Sequence, residues 1–465
     1  MSPKMTVRLL TEAGPSIGLG HLCRCVALYD ALQSRGAECE IVLDGTAPAH
    51  VVGDRATREC AWLLPTTIGD ILHGVDVAVL DSYRADLALY EVAASSASVA
   101  VYLDDTARIA YPRGIVVNGN PAADTLLWPE MTAATRLLGV EYQLLRSEFV
   151  GIPGRDVRPT VDRVLVVSGG TDVTVTLQEF VALARQAYPG AHIDVAAGTR
   201  TAQEMCHAML AADVALSAAG QTLYELAAAG TPVVAVTVAD NQTSQANALE
   251  HAGALLLAGP WGADSTSSRV LEMLEELQDP RRRASLSTDA RSLVDGMGAD
   301  RVARTAAGSA LRMRLEIRDA CREDEEVLLA LANDPVVRAT ALSTRLIGNE
   351  EHHSWFEQRL ANPADPTLLA WDGAELVAYV RFDSVENAVE ISIGVAERYR
   401  GFRLGPYLIE RALSILRERR PDNRHVTAWV RADNWPSATA FVSAGFTEEP
   451  CVVGRDGYRC YQWHW

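Results

Sequence analysis

Short apolar runs alternate with helical patterns along the first third of the chain, and this alternation constrains its fold more than any other feature. The runs at residues 7–10, 39–43, 75–80, 98–103 and 115–118 have the length of buried strands and are separated by amphipathic segments. Strand–helix–strand units at that spacing predict a parallel, doubly wound α/β sheet over residues 1–150. Ligands of such sheets bind beyond the carboxyl ends of the strands. The first strand leads into Ile17-Gly18-Leu19-Gly20-His21-Leu22-Cys23-Arg24, a glycine loop that opens a helix. Glycine lets a backbone approach a ligand, and the N–H groups opening a helix favour an anion such as a diphosphate. An imidazole in that loop can serve as a base near neutral pH. Asp81 with Tyr83, Asp104-Asp105, and Asn118 with Asn120 stand at the ends of later strands. Each alone is an ordinary turn or cap group. On the same edge as His21, together they predict a site.

A length of 465 residues predicts two or three domains, each with its own core. With 48% hydrophobic and 22% charged residues the composition is that of a globular protein. A formal charge of −18 argues against nucleic acid or an anionic membrane as partner, because phosphate contacts need a basic surface. The eight cysteines are scattered, without the paired spacing of a zinc site, so no metal is expected. No secretory leader and no run of ~20 apolar residues is found, so a cytoplasmic location is the expectation.

Residues 151–162 are rich in proline and glycine and read as a linker to a second alternating region, residues 151–312. A strand at 163–167 runs into Ser168-Gly169-Gly170-Thr171-Asp172, and one at 213–216 into Ser217-Ala218-Ala219-Gly220-Gln221-Thr222. Helical spacing follows to Gly230, then a strand at 233–236 and Asp240-Asn241-Gln242. This arrangement predicts a second Rossmann-like core, either with ordinary turns or with a nucleotide diphosphate on the loop and helix start after Gly220 and Glu225 reaching the ribose hydroxyls. The run Arg281–Arg283 reads as a solvated helix face.

The motifs IGLGHLCR, DSY, LDD, LLGVEYQLLRSEF, SGGTD, SAAGQTLYELAAAGTP and DNQ occur in this order, and the resemblance they carry covers roughly residues 5–310. The ordered set resembles the UDP-2,4-diacetamido-2,4,6-trideoxy-β-L-altropyranose hydrolases of pseudaminic acid biosynthesis. That resemblance implies two Rossmann-like domains in a GT-B arrangement, UDP held mainly by the second, and water attacking the anomeric carbon with His21 as base. Substrate contacts are then implied at Gly18, Gly20, Glu12, Asp81, Tyr83, Asn118, Gly169, Gly170, Gly220, Gln221, Thr222, Glu225, Asn241 and Gln242. The family has Arg-x-Asp before the glycine loop, where this chain has Leu10-Thr11-Glu12. Glu12 keeps a carboxylate, whereas Leu10 supplies no cation.

The remainder, residues 313–465, changes to an α+β order, with Arg398–Gly405 (RYRGFRLG) between a long strand and a helix. This order resembles the GNAT acyltransferases. The resemblance implies acetyl-CoA or another acyl-CoA as co-substrate, its diphosphate wrapped by the loop through Arg400, Gly401, Arg403 and Gly405, with Asn434 on a second cofactor segment. Backbone groups of Ile393 and Val395 would hold the thioester, and Glu390 is the candidate base. Arg403 replaces the middle glycine of the loop, and Phe441 replaces the general-acid tyrosine. Asn333-Asp334 and residues 352–356 (HHSWF) resemble the subgroup that acetylates nucleotide-linked amino sugars. Joined, the two resemblances predict N-acetylation of a UDP-4-amino sugar followed by its hydrolysis to free sugar and UDP. The alternatives are a related nucleotide-linked substrate in a secondary-metabolite pathway, or a GT-B glycosyltransferase fused to GNAT.

Overall fold

Strands Val77–Asp81 and Val99–Leu103 are buried along their whole length. Both faces of their sheet are therefore covered, as parallel sheets require. The computed structural model describes residues 4–14, 17–130, 134–168, 174–196, 200–385, 388–449 and 455–465. The chain divides into two compact units, Lys4–Ala306 and Ala307–Trp465.

The first unit holds two parallel sheets. One has seven strands in the order Thr57–Glu59, Glu38–Gly45, Thr6–Ala13, Val77–Asp81, Val99–Leu103, Gly114–Asn118, Ala134–Leu138. The chain winds to one side from Thr6–Ala13 and to the other from Val77–Asp81. These two neighbours mark the topological switch point, outside which a crevice opens. The edge strands Thr57–Glu59 and Ala134–Leu138 were not anticipated, because mostly unburied edges carry no continuous apolar run.

The other sheet has five strands, ordered Leu256–Pro260, Val233–Thr237, Val214–Ala218, Arg163–Val167, His192–Ala196. Its switch point lies between Arg163–Val167 and Val214–Ala218. The loops after those strands begin with Ser168 and Ala219. Gly169 and Gly170 fall outside the described residues.

The expected solvated arginine run is corrected by the fold. Arg283 is only 1% exposed and donates to the carbonyls of Arg158 (2.9 Å) and Pro159 (3.1 Å). Arg291 reaches the Ile152 carbonyl at 2.7 Å, so the proline- and glycine-rich linker is pinned by the helix Pro280–Leu293.

In the second unit the seven-stranded sheet runs Glu316–Asp319, Thr367–Asp372, Glu375–Val385, Ala388–Val395, His425–Arg431, Tyr458–His464, Thr447–Glu448. Adjacent strands are antiparallel except Ala388–Val395 beside His425–Arg431, which pair in parallel only at Val389–Val426 and Glu390–Thr427. Beyond those pairs the two strands part. Helices Glu325–Ala332 and Asn349–Leu360 bury Leu328, Leu331 and Phe356 with Leu369 and Tyr379 of the sheet. Cys460 on the strand Tyr458–His464 is disulfide-bonded, which the scattered cysteine spacing did not suggest.

Candidate functional site

The loop after Thr6–Ala13 turns at Gly18, with φ of 82°, and hands over to helix Gly20–Gln33. His21 and Arg24 sit one turn apart on that helix, on one face. Strand Val77–Asp81 ends at the switch point and delivers Asp81, fully buried. His21 Nδ1 lies 2.6 Å from Asp81 Oδ1. Arg24 grips the same carboxylate twice, Nε to Oδ2 at 3.0 Å and Nη2 to Oδ1 at 2.7 Å. Its Nη1 donates to Asp105 Oδ2 at 2.5 Å, and the Tyr83 hydroxyl donates to the same oxygen at 2.8 Å. The Tyr83 ring meets the His21 ring edge-on, 4.6 Å between centroids.

Electrostatics shifts three groups of this cluster, Arg24, Asp105 and Tyr83. Burial works against the charge of Arg24, but Asp105 and Asp81 outweigh it and hold the guanidinium well above its ordinary range. Asp105 is kept below the usual carboxylate range: burial opposes this, and Arg24 overcomes it. Burial and then Asp105 push the Tyr83 phenol up. His21 Nδ1 stands between Asp81 Oδ1 at 2.6 Å and Arg24 Nη2 at 3.0 Å, and the tautomer that donates from Nδ1 to the carboxylate leaves the Nε2 lone pair as the basic site.

Sequence reasoning placed His21, Asp81, Tyr83 and the pair Asp104-Asp105 on one sheet edge but gave Arg24 no role and did not tell Asp105 from Asp104. The signal was present in the three-residue spacing of His21 and Arg24 and in the paired aspartates after Leu103. The neighbouring Asp104 is a turn group, accepting from the backbone N–H of Thr106 and Arg108, both at 2.8 Å.

Other expected contacts are placed differently. Glu12 is buried and accepts from the Ser82 hydroxyl and the Arg84 guanidinium, which also reaches Asp44. Asn118 is fully buried; its Oδ1 accepts from the Asn120 N–H at 2.8 Å, and its Nδ2 has no hydrogen-bond partner among the described residues. Beside Gly20 and Gly220 a Cβ would meet no described atom within 4 Å, which leaves room for a ligand against both backbones.

The five-stranded sheet brings its own loop to this cluster. Helix Thr222–Ala229 begins beyond Gly220 and Gln221 without a side-chain cap; the Leu223 and Tyr224 N–H groups donate to the Gly220 and Gln221 carbonyls, which leaves those of Gln221 and Thr222 open among the described residues. The Gln221 side chain donates to the Leu144 carbonyl at 2.9 Å. Glu225 accepts from Arg146, Nη2 at 2.7 Å and Nε at 2.9 Å, and burial outweighs that arginine to raise its carboxyl. Arg146 and Glu225 both act on Cys23, whose thiol burial pushes up to about 11. Tyr224 feels Asp105 and Arg24, though burial dominates its upward shift. The helix after Gly220 therefore faces the His21–Arg24 turn. Asn241 and Gln242 lie on the short helix Asp240–Gln242, where Gln242 accepts from the Val238 N–H at 2.9 Å. Gln245, which sequence reasoning passed over, donates to the Ala219 carbonyl at 2.5 Å and ties that segment to the glycine loop.

In the second unit the parting strands leave a row of backbone groups without sheet partners. The Ala396 N–H donates to Val377 on one side, so by alternation the N–H groups of Ile393 and Val395 point to the other, toward the gap. Gly394 has no room for a side chain: a Cβ would lie 2.5 Å from the Tyr379 ring. Glu390 Oε1 accepts from the Trp429 indole at 2.9 Å and from Arg455 at 2.8 Å. Arg400 turns back to the Val395 carbonyl at 3.0 Å and to Asp334 at 2.5 Å. Gly401 has φ of 82°, and Arg403 takes the left-handed conformation at φ 54° before helix Leu404–Arg419. Gly405 packs near Ala440, and Asn434 caps helix Trp435–Ser443 through the Ser437 N–H at 3.2 Å. Phe441 is buried against Phe446.

Among the described residues no cluster of three or more His, Cys, Asp or Glu is arranged to hold a metal ion. No described helix is long and apolar enough to cross a membrane.

Residues 335–446 match the acetyltransferase (GNAT) family. A mycothiol acetyltransferase of Corynebacterium glutamicum is 31% identical over 134 residues, 25% of this chain and 45% of that one. The N-terminal half has weak similarity to a pseudaminic acid cytidylyltransferase and UDP-2,4-diacetamido-2,4,6-trideoxy-beta-L-altropyranose hydrolase of Helicobacter pylori. That relative is 24% identical over 265 residues, 54% of this chain and 48% of its own length. The chain thus spans about half the length of each of these relatives, 45% and 48%. Among solved structures, a ribosomal-protein-alanine N-acetyltransferase of Brucella melitensis is 26% identical, with TM-score 0.29, over 32% of this chain and 99% of that one. An acetyltransferase of Salmonella typhimurium with its cofactor acetyl-CoA is 22% identical, with TM-score 0.28, over 32% of this chain and 94% of that one. The chain carries a C-terminal GNAT domain, a family whose co-substrate is an acyl-CoA, preceded by two parallel α/β sheets with weak similarity to a nucleotide-sugar hydrolase of the pseudaminic acid pathway.

Proposed function

We propose that the chain is a bifunctional nucleotide-sugar enzyme, which N-acetylates a UDP-4-amino sugar with acetyl-CoA and hydrolyses the UDP-diacetamido product to free sugar and UDP. In this reading residues 1–150 and 151–312 are two Rossmann-like domains in a GT-B arrangement, and residues 313–465 the acyltransferase. The observation that carries it is the His21–Asp81–Arg24 cluster at one switch point, faced by the open helix start after Gly220 at the other.

For the hydrolysis, His21 Nε2 takes a proton from water as the water oxygen bonds to the anomeric carbon. The bond from that carbon to the UDP oxygen breaks, and its electron pair leaves with UDP. N–H groups at Gln221 and Thr222 would receive the diphosphate charge. Arg146 already occupies the Glu225 carboxylate, so a ribose diol would share or displace that guanidinium.

For the acylation, the neutral amine attacks the thioester carbonyl, the CoA thiolate leaves, and the amine proton must be taken up. Both donors to Glu390 converge on Oε1, so Oε2 is the atom that would receive the proton, directly or through water. Backbone N–H groups at Ile393 and Val395 would stabilise the oxyanion.

A different nucleotide-linked substrate is a second reading, favoured by Glu12, whose carboxylate is taken up by Ser82 and Arg84 instead of facing a sugar. Mass spectrometry of the purified chain with UDP-4-amino-4,6-dideoxy-β-L-N-acetylaltrosamine, with and without acetyl-CoA, decides between them. Release of UDP and diacetamido sugar only with acetyl-CoA is the expected result. No reaction in either mixture would sink the first reading.

A further inference from the structure

Two consecutive carbonyls of the loop 400–404 lie against one helical turn that lies outside residues 335–446, the range matching the acetyltransferase family. Arg312, on the helix Gly298–Arg314, donates from Nη2 to the Arg403 carbonyl at 2.7 Å. One turn earlier is Gly308, where a Cβ would lie 2.1 Å from the Phe402 carbonyl oxygen and 3.1 Å from its carbon. Only glycine lets that carbonyl lie against the helix. The Arg312 guanidinium also stacks over Tyr407, 5.6 Å from the ring centroid, so its position is fixed from two sides of the helix start. Gly308, Arg312, Phe402, Arg403 and Tyr407 all belong to the unit Ala307–Trp465.

This grip falls on the strained point of the loop. Arg403 is one of two non-glycine residues with positive φ among the described residues, a conformation that L side chains rarely adopt. A left-handed residue followed by a helical one turns consecutive N–H groups to one side and their carbonyls to the other, the geometry of an anion-binding nest. Helix Leu404–Arg419 starts without a side-chain cap, which leaves its first N–H groups open on that side.

We propose that Arg312 is a positioning residue for the acyl-CoA diphosphate: with Gly308 it draws the carbonyls of Phe402 and Arg403 to the back of the loop and so turns the loop N–H groups toward the phosphates. The proposal rests on the reading that this loop receives the diphosphate. It gives a residue ahead of the family-matched range control over cofactor affinity.

Titration calorimetry of the full chain with CoA, and separately with pantetheine, which lacks the diphosphate, tests it. Arg312→Met and Gly308→Ala should each weaken CoA binding about tenfold and leave pantetheine binding unchanged, with Arg312→Lys intermediate; near-UV circular dichroism identifies any variant that has lost its fold. A merely structural role would weaken both ligands together, and that result overturns the proposal. CoA affinity within twofold of the parent in a folded Arg312→Met would also overturn it while leaving the loop reading intact. Equal affinity of the parent chain for CoA and pantetheine would remove the loop reading itself, and the proposal with it.

Discussion

Asp81 has three hydrogen-bond donors around it, two from Arg24 and one from His21, and no water-exposed surface. An uncompensated carboxylate there would be strongly destabilising, and the Arg24 guanidinium supplies the compensating charge. Asp81→Asn keeps the shape but offers an amide that can donate to Nδ1 and move the imidazole proton to Nε2. UDP release should fall by about 10²–10⁴-fold in kcat with KM little changed. Steady-state kinetics of UDP release checks this, and a kcat within threefold of the parent would remove His21 from the chemistry.

Cys23, next to this cluster, gives a pH prediction. Its thiol is raised from 9.0 to about 11 by burial, so the unfolded chain loses that proton first as pH rises. Stability is undiminished by this group below about pH 9 and falls across pH 9 to 11. Urea melts at pH 8 and pH 10.5 should show a smaller alkaline loss in Cys23→Ala than in the parent, by on the order of 1 kcal/mol. An equal loss in both would place the thiol in a wetter site. At this scale the sequence indicated which residue types gather but not which pairs form. The pairing of Glu12 was not legible because its partners Ser82 and Arg84 lie 70 and 72 positions away.

Helices and strands were legible where burial forces a pattern and obscure where it does not. Strand Val99–Leu103 announces itself by five consecutive buried residues, whereas His192–Ala196 at a sheet edge has one. The helix Pro280–Leu293 was misjudged for a related reason. Three adjacent arginines point in three directions around a helix, and only Arg283 faces inward. There it satisfies the carbonyls of Arg158 and Pro159, 125 and 124 positions away in sequence. Arg283→Met should destabilise the unit Lys4–Ala306 by about 2–4 kcal/mol, since two carbonyls lose a charged donor inside the protein. Arg282→Met, on the exposed face, should change stability by less than about 0.5 kcal/mol. Urea denaturation compares them directly. Equal effects would mean that the linker is not held through Arg283.

For the whole molecule, the proposed order of reactions can be taken apart with one substitution in each unit. His21 lies in Lys4–Ala306 and Glu390 in Ala307–Trp465. Given the UDP-4-amino sugar and acetyl-CoA, His21→Ala should acetylate at the parent rate and accumulate the UDP-diacetamido sugar. Glu390→Gln should slow acetylation by about 10²-fold yet hydrolyse pre-acetylated substrate at the parent rate. Mixing the two variants should restore free sugar, because the intermediate made by one chain is the substrate of the other. The fold of each unit was readable because hydrophobic periodicity is local, while this division of labour rests on groups brought together from distant segments: His21 with Asp81, and Glu390 with Trp429 and Arg455. The Glu390 arm carries the sharper risk. Its Oε1 already holds two donors, so the carboxylate could serve only to anchor Arg455. In that case Glu390→Gln would acetylate at the parent rate and the base would have to be sought elsewhere along the gap between the parted strands. A drop in acetylation with unchanged KM for acetyl-CoA, reversed by raising the pH enough to deprotonate the amine without help, would assign the proton to Glu390.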